Sequence, residues 1–73
     1  MTFNIDKYWG CTVIHGTKIG PKRWRARAFA FRRDTQQKAG DEFIGFGSTM
    51  NTADDDAIRQ VKLFVASQGT PRG

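Results

Sequence analysis

Arginines and aromatics alternate along Arg23-Trp24-Arg25-Ala26-Arg27-Ala28-Phe29-Ala30-Phe31-Arg32-Arg33, and this spacing is where chemistry could reside. Guanidinium groups pair with phosphate oxygens and guanine edges, and aromatic faces stack on bases. Folded as a β-strand, the segment sorts onto two unlike faces, because successive side chains point to opposite sides. One face carries Trp24, Ala26, Ala28 and Ala30; the other carries Arg23, Arg25, Arg27, Phe29, Phe31 and Arg33. With Lys22 just before the strand and Tyr8 on a preceding one, the second face defines the candidate nucleic-acid-binding residues: Arg23, Arg25, Arg27, Phe29, Phe31, Arg33, Tyr8 and Lys22. The alternative is a solvated basic strand whose aromatics, Phe29, Phe31 and Phe43, seal a homodimer.

Other combinations do not assemble a reactive site. Cys11 and His15 share a strand face but lie about 13 Å apart, four residues at roughly 3.3 Å each, too far for a nucleophile and its base within one copy. Cys11 reads as a small core residue and His15 as a strand-end or loop residue. Asp54, Asp55 and Asp56 follow one another on a helix, where successive positions point about 100° apart, so their carboxylates cannot converge on one ion. Gly45-Phe46-Gly47 lacks the third glycine and the helix start of a phosphate-cradling loop. The expectation is a binding protein and not an enzyme, with no catalytic residues, metal or cofactor.

Charge supports a polyanionic partner. The 73-residue chain has a net charge of +5, distributed unevenly. Lys18 to Arg33 holds seven cations and no acid, whereas Asp34 to Asp56 holds six acids against Lys38 alone. Such a concentration builds a local field that steers anions and polyanions, nucleic acid among them. A single cysteine provides neither disulfide nor metal framework, and no apolar run approaches the roughly 20 residues of a membrane span. A cytoplasmic protein with no membrane partner is therefore expected, as one domain with an ordered core over about residues 6–69.

The elements that must position these residues follow from the periods. Lys7 to His15 is β-branched and aromatic and reads as a first strand. Gly16, Gly20 and Pro21 punctuate a loop, Arg23 to Arg33 is the second strand, and Asp34 to Asp41 is a turn with Gly40 left-handed. Glu42 to Ser48 is the third strand. A helix then runs from about Thr52 to Gln68, with Thr52 as N-cap, three aspartates in its first turn, and Gly69 as C-cap before Pro71. Met1 to Asn4 and Thr70 to Gly73 are expected to fray. The fold class is α+β: a three-stranded antiparallel meander with one C-terminal helix across one face.

Face assignment extends from the second strand. Trp9, Cys11, Val13, Ile44 and Phe46 join the Trp24–alanine row beneath the helix stripe of Ala57, Ile58, Val61, Phe64 and Val65. The open face then holds Tyr8, Thr12, Arg25, Arg27, Phe29, Phe31 and Phe43. The inverted sheet, with Phe29, Phe31 and Phe43 inside, is the competing arrangement; the unbroken apolar row Trp24 to Ala30 favours the first.

The chain resembles the AP2/integrase-type DNA-binding domain, a three-stranded sheet backed by one helix. Tyr8-Trp9-Gly10-Cys11 echoes that family's opening Tyr-Arg-Gly-Val. Trp24 to Ala30 with Arg33-Asp34 echoes its second strand. Phe43-Ile44-Gly45-Phe46-Gly47 and Thr52-Ala53-Asp54-Asp55-Asp56-Ala57 echo its third strand and helix start. The resemblance implies that Arg23, Arg25 and Arg27 contact DNA from the exposed sheet face, although Trp9 stands where the family has a DNA-contacting arginine and Ser48 to Asn51 lengthen the step into the helix. The helix start also looks like that of HicB-type antitoxins, which would make the chain a module that homodimerises or binds a partner protein. The acidic, aromatic-rich first strand expected of that type is missing.

Overall fold

The computed structural model describes residues 1–68. Strands β1 (Thr2–Asn4), β2 (Trp9–Gly20), β3 (Arg23–Arg32) and β4 (Lys38–Gly47) form one antiparallel sheet in the order β1-β2-β3-β4. Helix α1 (Met50–Gln68) follows. The α+β class with a C-terminal helix is as expected, but the sheet has four strands and not three. The extra strand is the segment expected to fray: Thr2, Phe3 and Asn4 pair with Thr12, Cys11 and Gly10, and Phe3 adds its ring to the core.

The break expected after His15 is also absent, since β2 continues to Gly20 through an irregularity between Ile14 and Thr17. Two residues, Pro21 and Lys22, then turn the chain, with proline's fixed φ first and Lys22 at φ 52° second. The result is a long β2–β3 hairpin. Its tip, Ile19 to Arg23, runs past Gly47, the last residue of β4 that pairs with β3. At the other end the turn after β3 carries Gln36 at φ 61°. Gly40 is left-handed as expected (φ 73°), but it lies in β4 at a bulge and not in the turn.

The sheet faces follow from register. Cys11 opposes Ala30, and Val13 opposes Ala28, which opposes Phe43 on its other side. These positions pack against α1 through Ala53, Ala57, Val61 and Val65, each four residues from the next. Alanines at 26, 28 and 30 are essentially inaccessible and allow the helix to lie close. Gly45 brings it closer still: a Cβ there would stand 2.3 Å from the Ala57 backbone nitrogen and 2.5 Å from the Ala53 carbonyl. Phe64 closes the far end, edge-on to Trp9 at 6.4 Å and tilted against Phe43 at 5.7 Å.

Three expectations about this core are corrected. Phe43, with Gly45 and Gly47, faces the helix, whereas Ile44 and Phe46 point to the open side; the pairs Arg27–Ile44 and Arg25–Phe46 place them there. The helix begins at Met50 with Thr49 as its cap, so the aspartates stand in its second turn. The Thr49 hydroxyl accepts from the Thr52 amide (3.2 Å), and the Thr52 hydroxyl accepts from the Thr49 amide (3.0 Å), the reciprocal arrangement of a capping box. The expected C-cap at Gly69 and the frayed tail lie outside the described residues. Among those described, no helix is long and apolar enough to cross a membrane.

Candidate nucleic-acid interface

The open face of the sheet is built around β3. Arg25 and Arg27 are exposed on its middle, two residues and about 7 Å apart. Across the sheet, Arg27 stands between Ile14 on β2 and Ile44 on β4, and Arg25 between Thr17 and Phe46. Ile14, Ile44 and Phe46 are 41%, 44% and 51% exposed, so an apolar border flanks the two guanidinium groups.

Among the described residues, Lys18, Lys22, Arg23 and Arg25 enter no ion pair. The hairpin tip extends the positive strip beyond the apolar border. Glu42 is the acid that reaches this face, 3.3 Å from Arg27 and 3.9 Å from Lys38. Partly exposed pairs of this kind are worth about 0–1 kcal/mol, so Glu42 holds Arg27 only weakly.

Two helix side chains hold the outer edge of β4. The Phe46 amide donates to Asp56 (3.0 Å), and the Gln60 side-chain amide donates to the Ile44 carbonyl (2.7 Å). This blunts an edge that would otherwise be open to strand pairing and fixes Ile44 and Phe46 on a rigid platform. Asp56 also accepts from Arg59 at 2.6 Å, and the Phe46 amide is the foremost of the contacts that hold its carboxyl below the usual aspartate range.

Asp54 performs a different task. Buried on the opposite side, it accepts from the Gly16 amide (2.9 Å) and lies 2.8 Å from His15 Nδ1, pinning the irregularity of β2 to the helix. Asp55 is exposed. The three aspartates thus act separately.

The remaining candidates do not join this patch. Arg33 lies about 33 Å from Arg23 along the chain, ten residues at roughly 3.3 Å. Its guanidinium donates to the Asp6 and Lys7 carbonyls, at 3.0 and 3.3 Å, and so clamps the loop before β2. Tyr8 belongs to that loop and not to a strand, with Lys7 over its ring.

Phe31 points to the open side as expected, yet it is only 7% exposed. Its ring lies over Gly10, where a Cβ would come within 2.3 Å of it. Phe29 is half-buried, its ring covered by the Lys38 ammonium at 5.3 Å. The three phenylalanines expected at a homodimer interface therefore form no common exposed patch, since Phe31 is buried and Phe43 faces the helix.

Arg23, Arg25, Arg27 and Lys22 are brought together; Ile14, Ile44 and Phe46 complete the surface and are absent from the sequence-based set. Lys18 belongs to the cation run, but its pairing with Trp24 turns it to the helix side of the sheet. Phe46 needed the register of β4, which its own sequence leaves open.

Neither protein-family models, nor curated proteins, nor solved structures give a match to this chain.

Proposed function

We propose that the chain binds nucleic acid through the open sheet face, in a binding role and not a catalytic one. The supporting observation is the run of cations Lys22, Arg23, Arg25 and Arg27 along the tip and open face of β3, with Glu42 paired to Arg27 there. Arginines two apart on a strand can contact successive phosphates, and the basic hairpin tip adds long-range attraction and backbone contacts. Face-to-face association of two copies would bring two positively charged faces together, which disfavours homodimerisation through this face.

Fluorescence anisotropy with a labelled oligonucleotide across a salt series tests the reading. For duplex DNA, affinity should fall linearly in log salt with a slope of about −0.9 per phosphate contacted, and the Arg25→Ala, Arg27→Ala double variant should reduce that slope by roughly two. A double variant that binds as well as the parent at matched salt would end the proposal, as would a tight dimer with no binding at all.

A further inference from the structure

The apolar border of the patch carries a more specific reading. We infer that this face takes single-stranded nucleic acid, with bases stacked on Phe46 and packed on Ile44 while phosphates meet Arg25 and Arg27; the inference rests on the binding reading above. In a duplex the flat faces of the bases are hidden within the stack, and the grooves and backbone present mainly polar edges and phosphates. An exposed aromatic and two isoleucines gain little against such a surface. An unpaired strand offers every base face, and stacking on an aromatic side chain is a sequence-tolerant way to hold it.

The charge layout sets the orientation. On β3's side of Phe46 lies Arg25, its cross-strand neighbour at about 5 Å. On the other side Phe46 borders a shallow groove lined by Thr52, Asp55, Asp56 and Arg59. Arg59 pairs with Asp56 there, which leaves Asp55 as the unbalanced charge of the groove; it disfavours phosphate on that side, so the backbone runs along the arginines and the bases turn toward Phe46. Because Asp56 and Gln60 hold the backbone of Phe46 and Ile44, the platform is formed before any strand arrives.

The test compares a labelled single strand of about 16 nucleotides, the upper end of single-domain footprints, with the same strand annealed to its complement. Parent, Phe46→Ala, Phe46→Trp and the Arg25→Ala, Arg27→Ala double variant are measured at one salt concentration and across a salt series. Melting curves confirm that each variant is folded. The single strand should bind more tightly than the duplex. Phe46→Ala should weaken single-strand binding by about fivefold to a hundredfold with the salt slope unchanged, and Phe46→Trp should restore it. Duplex binding at least as tight as single-strand binding, with Phe46→Ala without effect while the double arginine variant weakens both, would overturn the single-strand inference and leave the nucleic-acid reading standing. Binding unaffected by either set of variants would overturn both.

Discussion

Replacing Gly45 with alanine tests the helix–sheet packing that presents the open face. The added Cβ would lie 2.3 Å from the Ala57 nitrogen, 2.5 Å from the Ala53 carbonyl and 2.9 Å from the Ala57 Cα, all backbone atoms that no rotamer change can move. Ordinary contact begins near 3.4 Å, so α1 must withdraw from β4 by about 1 Å. That movement loosens Ala53, Ala57 and Val61 from Ala26, Ala28 and Val13 at once, in an interior with no spare volume. Overpacking costs about 1–3 kcal/mol, and the rigidity of the opposing atoms places this variant toward the upper end. For a domain of this size each kcal/mol is worth about 4–8 °C, so melting should fall by roughly 12–24 °C.

Gly20→Ala is the matched control. Its Cβ would meet nothing nearer than Arg23 Cβ at 3.9 Å, and melting should change little or rise slightly. Circular dichroism melts and urea titrations of both variants measure the difference. If Gly45→Ala and Gly20→Ala prove indistinguishable from the parent, α1 does not rest on β4 as described.

Further outcomes follow from the polar and thiol groups. Asp54→Ala leaves the Gly16 amide and His15 without their acceptor and should cost about 1–3 kcal/mol in urea unfolding; an unchanged midpoint would show that the link between β2 and α1 carries no stability. Because the folded structure holds the Asp56 carboxyl below its usual range, its contribution is present above about pH 3.8 and is lost as pH falls through the lower folded value. Stability–pH curves of the parent and Asp56→Asn should therefore converge in acid and separate above it; parallel curves would contradict this. Burial raises the Cys11 thiol above its ordinary pKa, so a thiol-reactive dye should label it only on unfolding. Rapid labelling of the folded chain would place Cys11 outside the core.

The parts legible in the sequence were those in which one segment decides its own face. Trp24 to Ala30 favours its face because the alternative one carries arginines, although Phe29 and Phe31 leave the inverted sheet in competition, and the helix stripe from Ala57 to Val65 repeats at an unmistakable period. β4 is different: in Phe43-Ile44-Gly45-Phe46-Gly47 both phases contain large apolar residues, so hydrophobicity alone cannot select between them. The choice is made by α1, whose backbone approaches so closely that only glycine fits at 45. The aromatic of the candidate site was accordingly assigned to Phe29 and Phe31 and not to Phe46. Phe31 shows a second limit: strand parity gives its side correctly, but its burial depends on Gly10 of the neighbouring strand. The helix cap was misplaced by three residues because Thr49 and Thr52 both offer hydroxyls, and the bonds between them are reciprocal.

The central claim, that the face of β3 bearing Arg25 and Arg27 is the binding surface, is tested most directly by amide chemical-shift mapping during titration with an oligonucleotide. The account predicts that the largest perturbations fall on Ile14, Thr17, Arg25, Arg27, Ile44 and Phe46, with smaller ones at the hairpin tip around Lys22, and that the outer face of α1 around Lys62 and Leu63 stays unchanged. Perturbations confined to α1, or to the Tyr8 and Arg33 end of the sheet, would contradict it.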